Sequence, residues 1–386
     1  MKKIKSIMIS MYMSFCKMFY LKKNQVVFKS FGGNSYSDNP RAISEKLHEL
    51  YPNIKINWIL SRQVCNLVSI PHYVKVVDAD NALTVIKTIA SSKVYVDNFS
   101  LTKIKKSKKQ LFIQTWHGDR AFKKVLYDVY GPNTDVVLSE TLPGYCDYAI
   151  AGSKYGESQY RTAFRYDGEV ILEGTPRNDI LVNATEKTVM KYKNNIENDD
   201  CKLLLYAPTL RDISLKNKEA IQSIHDLDIS KTLDCLEKKY NCKWKCLLRA
   251  HPAVASLSGA KKEDDRIVDV SAYEDMSHLM LISDMLITDY SSCAGDFALT
   301  GRSLILFHSD IEEYKSTSRE FYFDMNESPY FIAKTQEELE SIIENLSESI
   351  AKQNCKEILD FYVTTESGKA SECVANIINE WITNKR

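Results

Sequence analysis

The sequence alternates short apolar runs with polar turns and helical patterns, and it does so in both halves of the chain. In the second half, an apolar run at 285–287 leads into a polar turn at 288–292 and then a helical pattern that contains Phe297. Such strand–helix alternation predicts an α/β protein with a doubly wound parallel sheet. Because 386 residues are too many for one typical core, we predict two such domains.

The domain boundaries follow from where the alternation begins, pauses and ends. We predict a membrane-surface amphipathic helix at 1–23, an N-terminal Rossmann-like domain at 24–180 and a C-terminal Rossmann-like domain at 181–360. If the chain is a two-domain transferase, the first of these domains lies on the acceptor side and the second binds the donor. A last helix at 361–386 is expected to cross back to the first domain. Two similar α/β halves that face a cleft are typical of nucleotide-sugar transferases.

The N-terminal segment combines lysines with apolar residues at helical spacing. Lys17 interrupts the apolar run, which is therefore too short to span a bilayer of about 30 Å. No small-residue cleavage site follows, as a signal peptide would require. We expect a helix that lies on an anionic membrane surface; the alternative is a helix that packs on the protein's own core. The helical face consists of Ile4, Ile7, Met8, Met11, Phe15, Met18 and Phe19.

Polar residues and glycines follow the predicted strands of the first half. In this architecture ligands bind at the carboxyl edge of a parallel sheet. His117 directly follows a buried strand, and an imidazole is the natural general base near neutral pH. A lone histidine in such a place is also often structural. The candidate residues for the acceptor side or the cleft are Gly32, Gly33, Ser35, Trp116, Gly118 and Arg177.

Three strand ends of the second half carry a second set of candidates. Guanidinium groups, an imidazole and a helix N-terminus started by serine can together bind a diphosphate. Each arginine alone is better explained as a surface ion pair, and it is their coincidence at successive strand ends that favours a binding site. The candidates on the donor side are Thr209, Arg211, Arg249, His251, Asp289, Ser291 and Ser292.

Composition narrows the remaining classes of function. The formal net charge of zero argues against a nucleic-acid-binding protein with a basic surface throughout. The ten cysteines show no paired metal-ligand spacing, so we predict no metal site and a reducing, cytoplasmic environment.

Six motifs follow one another along the chain in the order found in the CDP-glycerol glycerophosphotransferases, and the chain resembles this family. Its members build teichoic acids and some phosphate-containing capsules. The motifs are residues 30–40 (SFGGNSYSDNP), 114–118 (QTWHG), 174–179 (GTPRND), 206–212 (YAPTLRD), 249–252 (RAHP) and 288–292 (TDYSS). The resemblance covers about residues 25–380 and is specific for the family, though not for the member.

The resemblance implies a GT-B-type fold and peripheral attachment to the cytoplasmic face of the plasma membrane. It also implies transfer of an alditol phosphate from a CDP-activated donor to a lipid-linked hydroxyl, with release of CMP and with neither metal nor cofactor. The two functional histidines of the family would be His117 and His251, and its phosphate-holding positions would be Arg211, Ser291 and Ser292. Which histidine is the base stays open.

Other matters also stay open at this stage. Residues 319–325 (REFYFDM) depart from the Arg-Gly and Tyr-Asp-Phe pattern of the family, so the alditol can be glycerol or ribitol. The sequence does not decide between primer and polymerase, between teichoic acid and capsule, or between oligomeric states. One alternative is a GT-B glycosyltransferase that uses a nucleotide sugar in cell-surface polysaccharide synthesis. Another is a membrane-associated binding protein without activity.

Overall fold

The computed structural model describes residues 11–16, 21–99, 106–131, 146–194, 196, 200–209, 227–250, 264–317 and 320–384. The chain forms two compact units. The first consists of Met1–Asp119, Leu126–Asp179 and Thr365–Arg386, and the second of Arg120–Val125 and Ile180–Thr364. The short segment Arg120–Val125 therefore belongs to the second unit, although the sequence pattern placed it inside the first domain.

Besides the helical segment at 11–16, the described residues contain thirteen strands and fourteen α-helices. The strands are β1 (Lys22–Lys29), β2 (Lys55–Leu60), β3 (Val74–Asp78), β4 (Ser92–Asp97), β5 (Leu111–Gln114), β6 (Tyr148–Ile150), β7 (Glu169–Ile171), β8 (Lys202–Ala207), β9 (Trp244–Leu248), β10 (Ile267–Asp269), β11 (Met285–Thr288), β12 (Ser303–Phe307) and β13 (Phe331–Ala333). The helices are α1 (Asp38–Leu50), α2 (Arg62–Leu67), α3 (Ala82–Ser91), α4 (Tyr127–Tyr130), α5 (Lys154–Thr162), α6 (Asp179–Val182), α7 (Glu186–Lys193), α8 (Ile229–Tyr240), α9 (Met276–Ile282), α10 (Cys293–Phe297), α11 (Ile311–Thr317), α12 (Gln336–Asn345), α13 (Glu348–Phe361) and α14 (Ala370–Thr383).

Both sheets are parallel, and the six strands of the second follow the same order as the first six strands of the first. The first runs β3-β2-β1-β4-β5-β6-β7 and the second β10-β9-β8-β11-β12-β13. In each sheet the strand order reverses direction next to the first strand, between β1 and β4 and between β8 and β11. Such a switch point opens a crevice at the carboxyl ends of the strands, where ligands of Rossmann-like domains bind. The topology therefore predicts binding sites at the residues that follow these four strands. The residues after β5, the strand beside β4, lie at the same edge of the first sheet.

The core of the first unit includes residues from the far end of the chain. Trp58 on β2 is fully buried, and Val374, Ala375 and Ile378 of α14 belong to the same apolar cluster. Burying a valine or isoleucine side chain stabilises a fold by about 1.5–3 kcal/mol, so Val374 and Ile378 contribute substantially to the docking of α14. The C-terminal helix is thus part of the first unit.

Buried strands also form the core of the second unit. Every residue of β11 is buried, and Trp244 of β9 is 2% exposed. Strands that are covered on both faces read as continuous apolar runs, as the sequence of β11 does.

The N-terminal helical segment at 11–16 has two different faces. Met13 and Cys16 are buried, whereas Met11 and Phe15, one helical turn apart, are 69% and 49% exposed. Among the described residues, no helix has the length and apolarity needed to cross a bilayer. The other residues of the predicted amphipathic face, Ile4, Ile7, Met8, Met18 and Phe19, lie outside the described part of the chain.

Candidate functional site

The turn after β5 holds the candidate base of the first unit. Trp116 adopts a left-handed backbone conformation (φ 50°), and two hydrogen bonds fix it there. Its N–H donates to Gln114 Oε1 at 2.9 Å, and its carbonyl accepts from Asn39 Nδ2 at 3.0 Å. These bonds orient the next residue, His117, whose Nδ1 lies 2.8 Å from the carbonyl oxygen of Asn98.

The hydrogen bond to Asn98 determines the tautomer of His117. A carbonyl oxygen only accepts, so Nδ1 carries the proton and Nε2 keeps its lone pair. The side chain of His117 is half-buried, and desolvation lowers its pKa below the ordinary value of 6.5. The ring is therefore neutral at neutral pH, with Nε2 able to take a proton.

Three aromatic side chains surround the His117 ring. The ring centroids of Trp116, Phe31 and Phe99 lie 4.2, 5.2 and 5.9 Å from that of His117. Phe99 is 45% exposed, so this aromatic group has one open side. The imidazole thus has an apolar surrounding that weakens its hydration and a hydrogen bond that fixes its orientation.

The glycine pair after β1 has the geometry that its turn requires. Gly32 and Gly33 adopt φ values of 73° and 99°, where only glycine is free of strain. A Cβ on Gly33 would lie 3.0 Å from Ala79 Cβ, whereas Gly32 is exposed. Ser35 pairs with Ser37 through their hydroxyls at 2.5 Å.

Arg177 and Gly118 have structural contacts in the same unit. Arg177 is 8% exposed, and its Nη1 donates to Asp38 Oδ2 and to the carbonyl of His117, both at 2.9 Å. Gly118 is buried and lines a small apolar cavity with Trp116 and Phe164. The structure thus brings Arg177 to the backbone of His117, where it holds the turn.

At the switch point of the second sheet, Asp289 joins two strand ends. Its carboxylate oxygens accept the N–H of Thr209, which follows β8, at 2.9 and 3.1 Å. Thr288 Oγ1 donates to the carbonyl of Ala207 at 2.6 Å. Asp289 is 4% exposed, so its carboxylate fixes the loop after β8 in place.

The serines that follow Asp289 precede a shorter helix than the sequence pattern suggested. The helix α10 comprises five residues and continues as a 3-10 turn at Ala298–Thr300. Ser292 occupies the N-cap position with helical backbone angles and without a side-chain cap bond. Ser291 Oγ instead accepts the N–H of Cys293 at 3.3 Å. Both serines are half-buried and lie directly after the switch-point strand β11.

The remaining donor-side candidates are distributed differently. Arg249 follows β9, and its Nη1 donates to the carbonyl of Tyr273 at 2.9 Å. Burial lowers the pKa of this guanidinium, and the Asp275 carboxylate opposes that effect. Arg211 and His251 lie outside the described residues. Within the described part of the chain there is no group of three His, Cys, Asp or Glu side chains placed to hold a metal ion.

The sequence analysis did not select Asn98 or Asp38 as site residues, although Asp38 belongs to the motif at 30–40; both residues lie close to the His117 turn. Asn98 is fully buried directly after β4, and its backbone carbonyl accepts from the imidazole. Asp38 stands at the start of α1 and bonds Arg177. Asn98 is a polar residue directly after a switch-point strand, which is a common place for a site residue. Nothing else in the sequence distinguished it from an ordinary loop residue.

Comparison with known proteins shows the same family along nearly the whole chain. Residues 10–380 match the family described as CDP-glycerol:poly(glycerophosphate) glycerophosphotransferase. The teichoic acid poly(glycerol phosphate) polymerase of Bacillus subtilis strain 168 is 34% identical over 376 residues, which cover 93% of this chain and 49% of that protein. The chain therefore spans about half the length of this relative. The teichoic acid glycerol-phosphate transferase of Staphylococcus aureus strain NCTC 8325 is 30% identical over 380 residues, 92% of this chain and 93% of that protein.

The fold has a solved counterpart. The wall teichoic acid polymerase TagF, as a histidine-to-asparagine variant soaked with CDPG, superposes with a TM-score of 0.80 at 28% identity and covers 99% of this chain and 96% of that one. Together with the two parallel sheets, this likeness confirms the predicted GT-B-type α/β fold class.

Proposed function

Because the chain belongs to the CDP-glycerol:poly(glycerophosphate) glycerophosphotransferase family, we propose that it transfers glycerol phosphate from CDP-glycerol to a hydroxyl of a membrane lipid-linked acceptor. The reaction serves teichoic acid or capsular polymer synthesis. The relatives named above carry glycerol phosphate in their names, which favours glycerol over ribitol as the alditol. The single observation that carries the proposal is the family match over residues 10–380.

The proposed reaction is one in-line displacement. The acceptor oxygen attacks the β-phosphorus of CDP-glycerol, the phosphorus that bears glycerol. A new P–O bond forms to the acceptor while the bond to the bridging oxygen breaks, and CMP leaves with that oxygen and its electron pair. The acceptor proton goes to a general base. Such phosphoryl transfers depend mainly on positioning and on stabilisation of charge.

His117 is the proposed base. Its Nδ1–H donates to the carbonyl of Asn98 at 2.8 Å, so Nε2 is the nitrogen that accepts the proton. The lowered pKa keeps the ring in its neutral, accepting form at neutral pH. The three surrounding aromatic rings limit the access of water to the imidazole.

The second unit is the proposed donor side. Thr209, Asp289, Ser291 and Ser292 gather at the β8–β11 switch point, the usual place for a nucleotide in a Rossmann-like sheet. Asp289 orders the loop after β8, and the hydroxyl groups of Ser291 and Ser292, both half-buried, offer donors to phosphate oxygens. Arg249, together with Arg211 and His251 of the undescribed segments, would balance the charge of the diphosphate.

We further propose peripheral attachment to the cytoplasmic face of the plasma membrane through the N-terminal segment. Met11 and Phe15 form an exposed apolar strip on the helical segment at 11–16, whose other side packs on the protein. Apolar side chains next to lysines bind anionic lipid surfaces. The protein would then meet its lipid-linked acceptor at the membrane surface.

A donor screen tests the proposed reaction. The purified chain is incubated with a bacterial membrane extract and CDP-glycerol, CDP-ribitol or a UDP-sugar, and nucleotide release is measured. We expect CMP from CDP-glycerol and at least tenfold less product from the UDP-sugars. Release of UDP instead would favour the glycosyltransferase alternative, and donor binding without nucleotide release would favour the binding protein.

Vesicle sedimentation tests the membrane attachment. We expect the chain to sediment with vesicles of phosphatidylglycerol and the double variant Met11→Ser/Phe15→Ser to stay in the supernatant. Met190→Ser is the matched control, because Met190 is 54% exposed on α7 in the second unit. Equal sedimentation of the double variant and the unchanged chain would contradict this role of the strip.

A further inference from the structure

Asn98 occupies a central position beneath the His117 turn. Its backbone carbonyl accepts the Nδ1–H of His117 at 2.8 Å. Its side-chain oxygen accepts the N–H of Phe31 at 2.9 Å, and its Nδ2 donates to Asp38 Oδ1 at 3.0 Å. Because Asn98 is fully buried, these bonds do not compete with bulk water. The side chain of Asn98 thereby fixes the peptide whose carbonyl holds the imidazole.

Asp38 connects the same turn from the other side. Its carboxylate accepts from Asn98 Nδ2 and from Arg177 Nη1, and the same Nη1 donates to the carbonyl of His117. Two chains of hydrogen bonds therefore link Asp38 to His117. One passes through Asn98 to the imidazole ring, and the other passes through Arg177 to the backbone carbonyl of His117. Asp38 also adopts φ 65°, a conformation that costs a non-glycine residue free energy. Strain of this kind persists only where surrounding contacts determine the position.

We propose that Asp38 and Asn98 are positioning residues for His117, which hold its Nδ1–H tautomer and aim Nε2 at the acceptor hydroxyl. This inference rests on the proposed function, in which His117 is the base. It assigns roles to two residues that the sequence did not select. Hydrogen-bond partners that orient metal-ligating histidines change activity by about 10–100-fold when they are removed, and we expect an effect of that size for the partners that orient His117.

The charges around His117 give the proposal an electrostatic consequence. Desolvation, the largest effect, and the Arg177 guanidinium lower the pKa of His117, whereas the hydrogen bond to the Asn98 carbonyl and the carboxylates of Asp38 and Asp97 raise it. Asp97 is itself paired with Lys29 at 2.8 Å. Because the Asp38 carboxylate raises this pKa, removing its charge lowers the pKa of His117 further. The acid limb of the activity profile must then move to lower pH.

Two substitutions of Asp38 differ in how many hydrogen bonds they remove. Asp38→Asn loses the charge and keeps one of the two acceptor oxygens, so it loses one of the bonds from Asn98 Nδ2 and Arg177 Nη1. We expect kcat at the plateau to fall less than in Asp38→Ala and the acid limb to move to lower pH. Asp38→Ala and Asn98→Ala lose the hydrogen bonds, so we expect kcat to fall about 10–100-fold with little change in KM for CDP-glycerol.

Asp147→Asn is the matched control. Asp147 pairs with a cation, Lys106 at 2.6 Å, as Asp38 pairs with Arg177, and it accepts the backbone N–H of Phe112 at 2.8 Å. It directly precedes β6 and therefore lies at the opposite edge of the same parallel sheet from His117. We expect its pH profile to match that of the unchanged chain.

The test combines kinetics with NMR of the full chain. CMP release from CDP-glycerol is measured from pH 5 to 8.5, and histidine labelled with ¹⁵N reports the tautomer and pKa of His117, assigned with His117→Gln. A fall in the population of the Nδ1–H tautomer in Asn98→Ala, which keeps the backbone carbonyl but loses the side-chain bonds that fix it, together with an acid limb displaced in Asp38→Asn but not in Asp147→Asn, supports the proposal. The proposal is overturned if the acid limb of the activity profile and the pKa of His117 are unchanged in Asp38→Asn and kcat is normal in Asp38→Ala.

The NMR measurement distinguishes this proposal from the proposed function. If the chain releases no CMP from CDP-glycerol, the proposed function fails. The tautomer and titration of His117 in Asp38→Asn and Asn98→Ala still decide whether these residues position the ring.

Discussion

A buried ion pair in the second unit leads to a quantitative prediction. Arg120 Nη2 lies 2.6 Å from Asp296 Oδ1, and the two side chains are 0% and 3% exposed. Gly295 makes room for this arrangement, because a Cβ there would lie 2.6 Å from Arg120 Cβ. Asp296→Ala leaves the guanidinium charge in the core without this carboxylate. We expect the free energy of unfolding of the second unit to fall by about 3–5 kcal/mol.

The double variant tests the reason for that loss. Arg120→Met removes the charge that Asp296→Ala leaves behind, so the double variant is expected to be more stable than Asp296→Ala alone. The coupling between the two sites should be roughly 2–3 kcal/mol. Hydrogen exchange of the β8 and β11 amides measures the unfolding free energy within this unit. A loss below about 1 kcal/mol in Asp296→Ala, or no coupling, would refute the reasoning.

Three further predictions concern the first unit. Glu366→Ala removes a carboxylate that accepts two hydrogen bonds from Thr175. It should destabilise the docking of α14 by about 1–3 kcal/mol, so limited proteolysis should cut the C-terminal helix faster. An unchanged rate of proteolysis would contradict this prediction. Gly33→Ala combines backbone strain at φ 99° with a close Cβ contact and should lower the melting temperature more than Gly131→Ala, whose Cβ meets nothing within 4 Å; equal melting temperatures would exclude an effect of the contact. Because the pKa of His117 is lowered in the folded chain, the unfolded chain binds more protons below pH 6.5. Stability should therefore decrease as the pH falls from 6.5, and less so in His117→Gln in urea titrations; parallel pH curves would count against this origin.

The sequence predicted the parts of the fold that local patterns encode. Apolar runs such as β11 have the period and length of buried parallel strands, and the polar turns after them lie at the carboxyl edges of the sheets. The predicted family is confirmed by the match over residues 10–380. His117 could be proposed as a base because its place after β5 follows from that same pattern.

The contacts that position the site could not be predicted, because they join distant parts of the chain. Glu366 accepts hydrogen bonds from Thr175, 191 residues away, and no periodic pattern records that pairing. Arg177, a candidate for the acceptor side or the cleft, bonds Asp38 and the carbonyl of His117, and no sequence pattern indicated these partners. Arg120 follows the first unit's turn in sequence yet pairs with Asp296 in the second unit. Such pairings depend on the packing of whole elements and therefore need the three-dimensional structure.

The central claim is that His117 takes the proton of the acceptor hydroxyl. The most direct test compares CMP release from CDP-glycerol by His117→Ala with that by His48→Ala, a half-buried histidine of α1 that stacks on Tyr73. We predict that His117→Ala lowers kcat by about 10²–10⁴-fold with donor affinity unchanged, while His48→Ala stays close to the unchanged chain. A rate of CMP release in His117→Ala within about threefold of the unchanged chain would contradict the assignment, since loss of a general base costs far more.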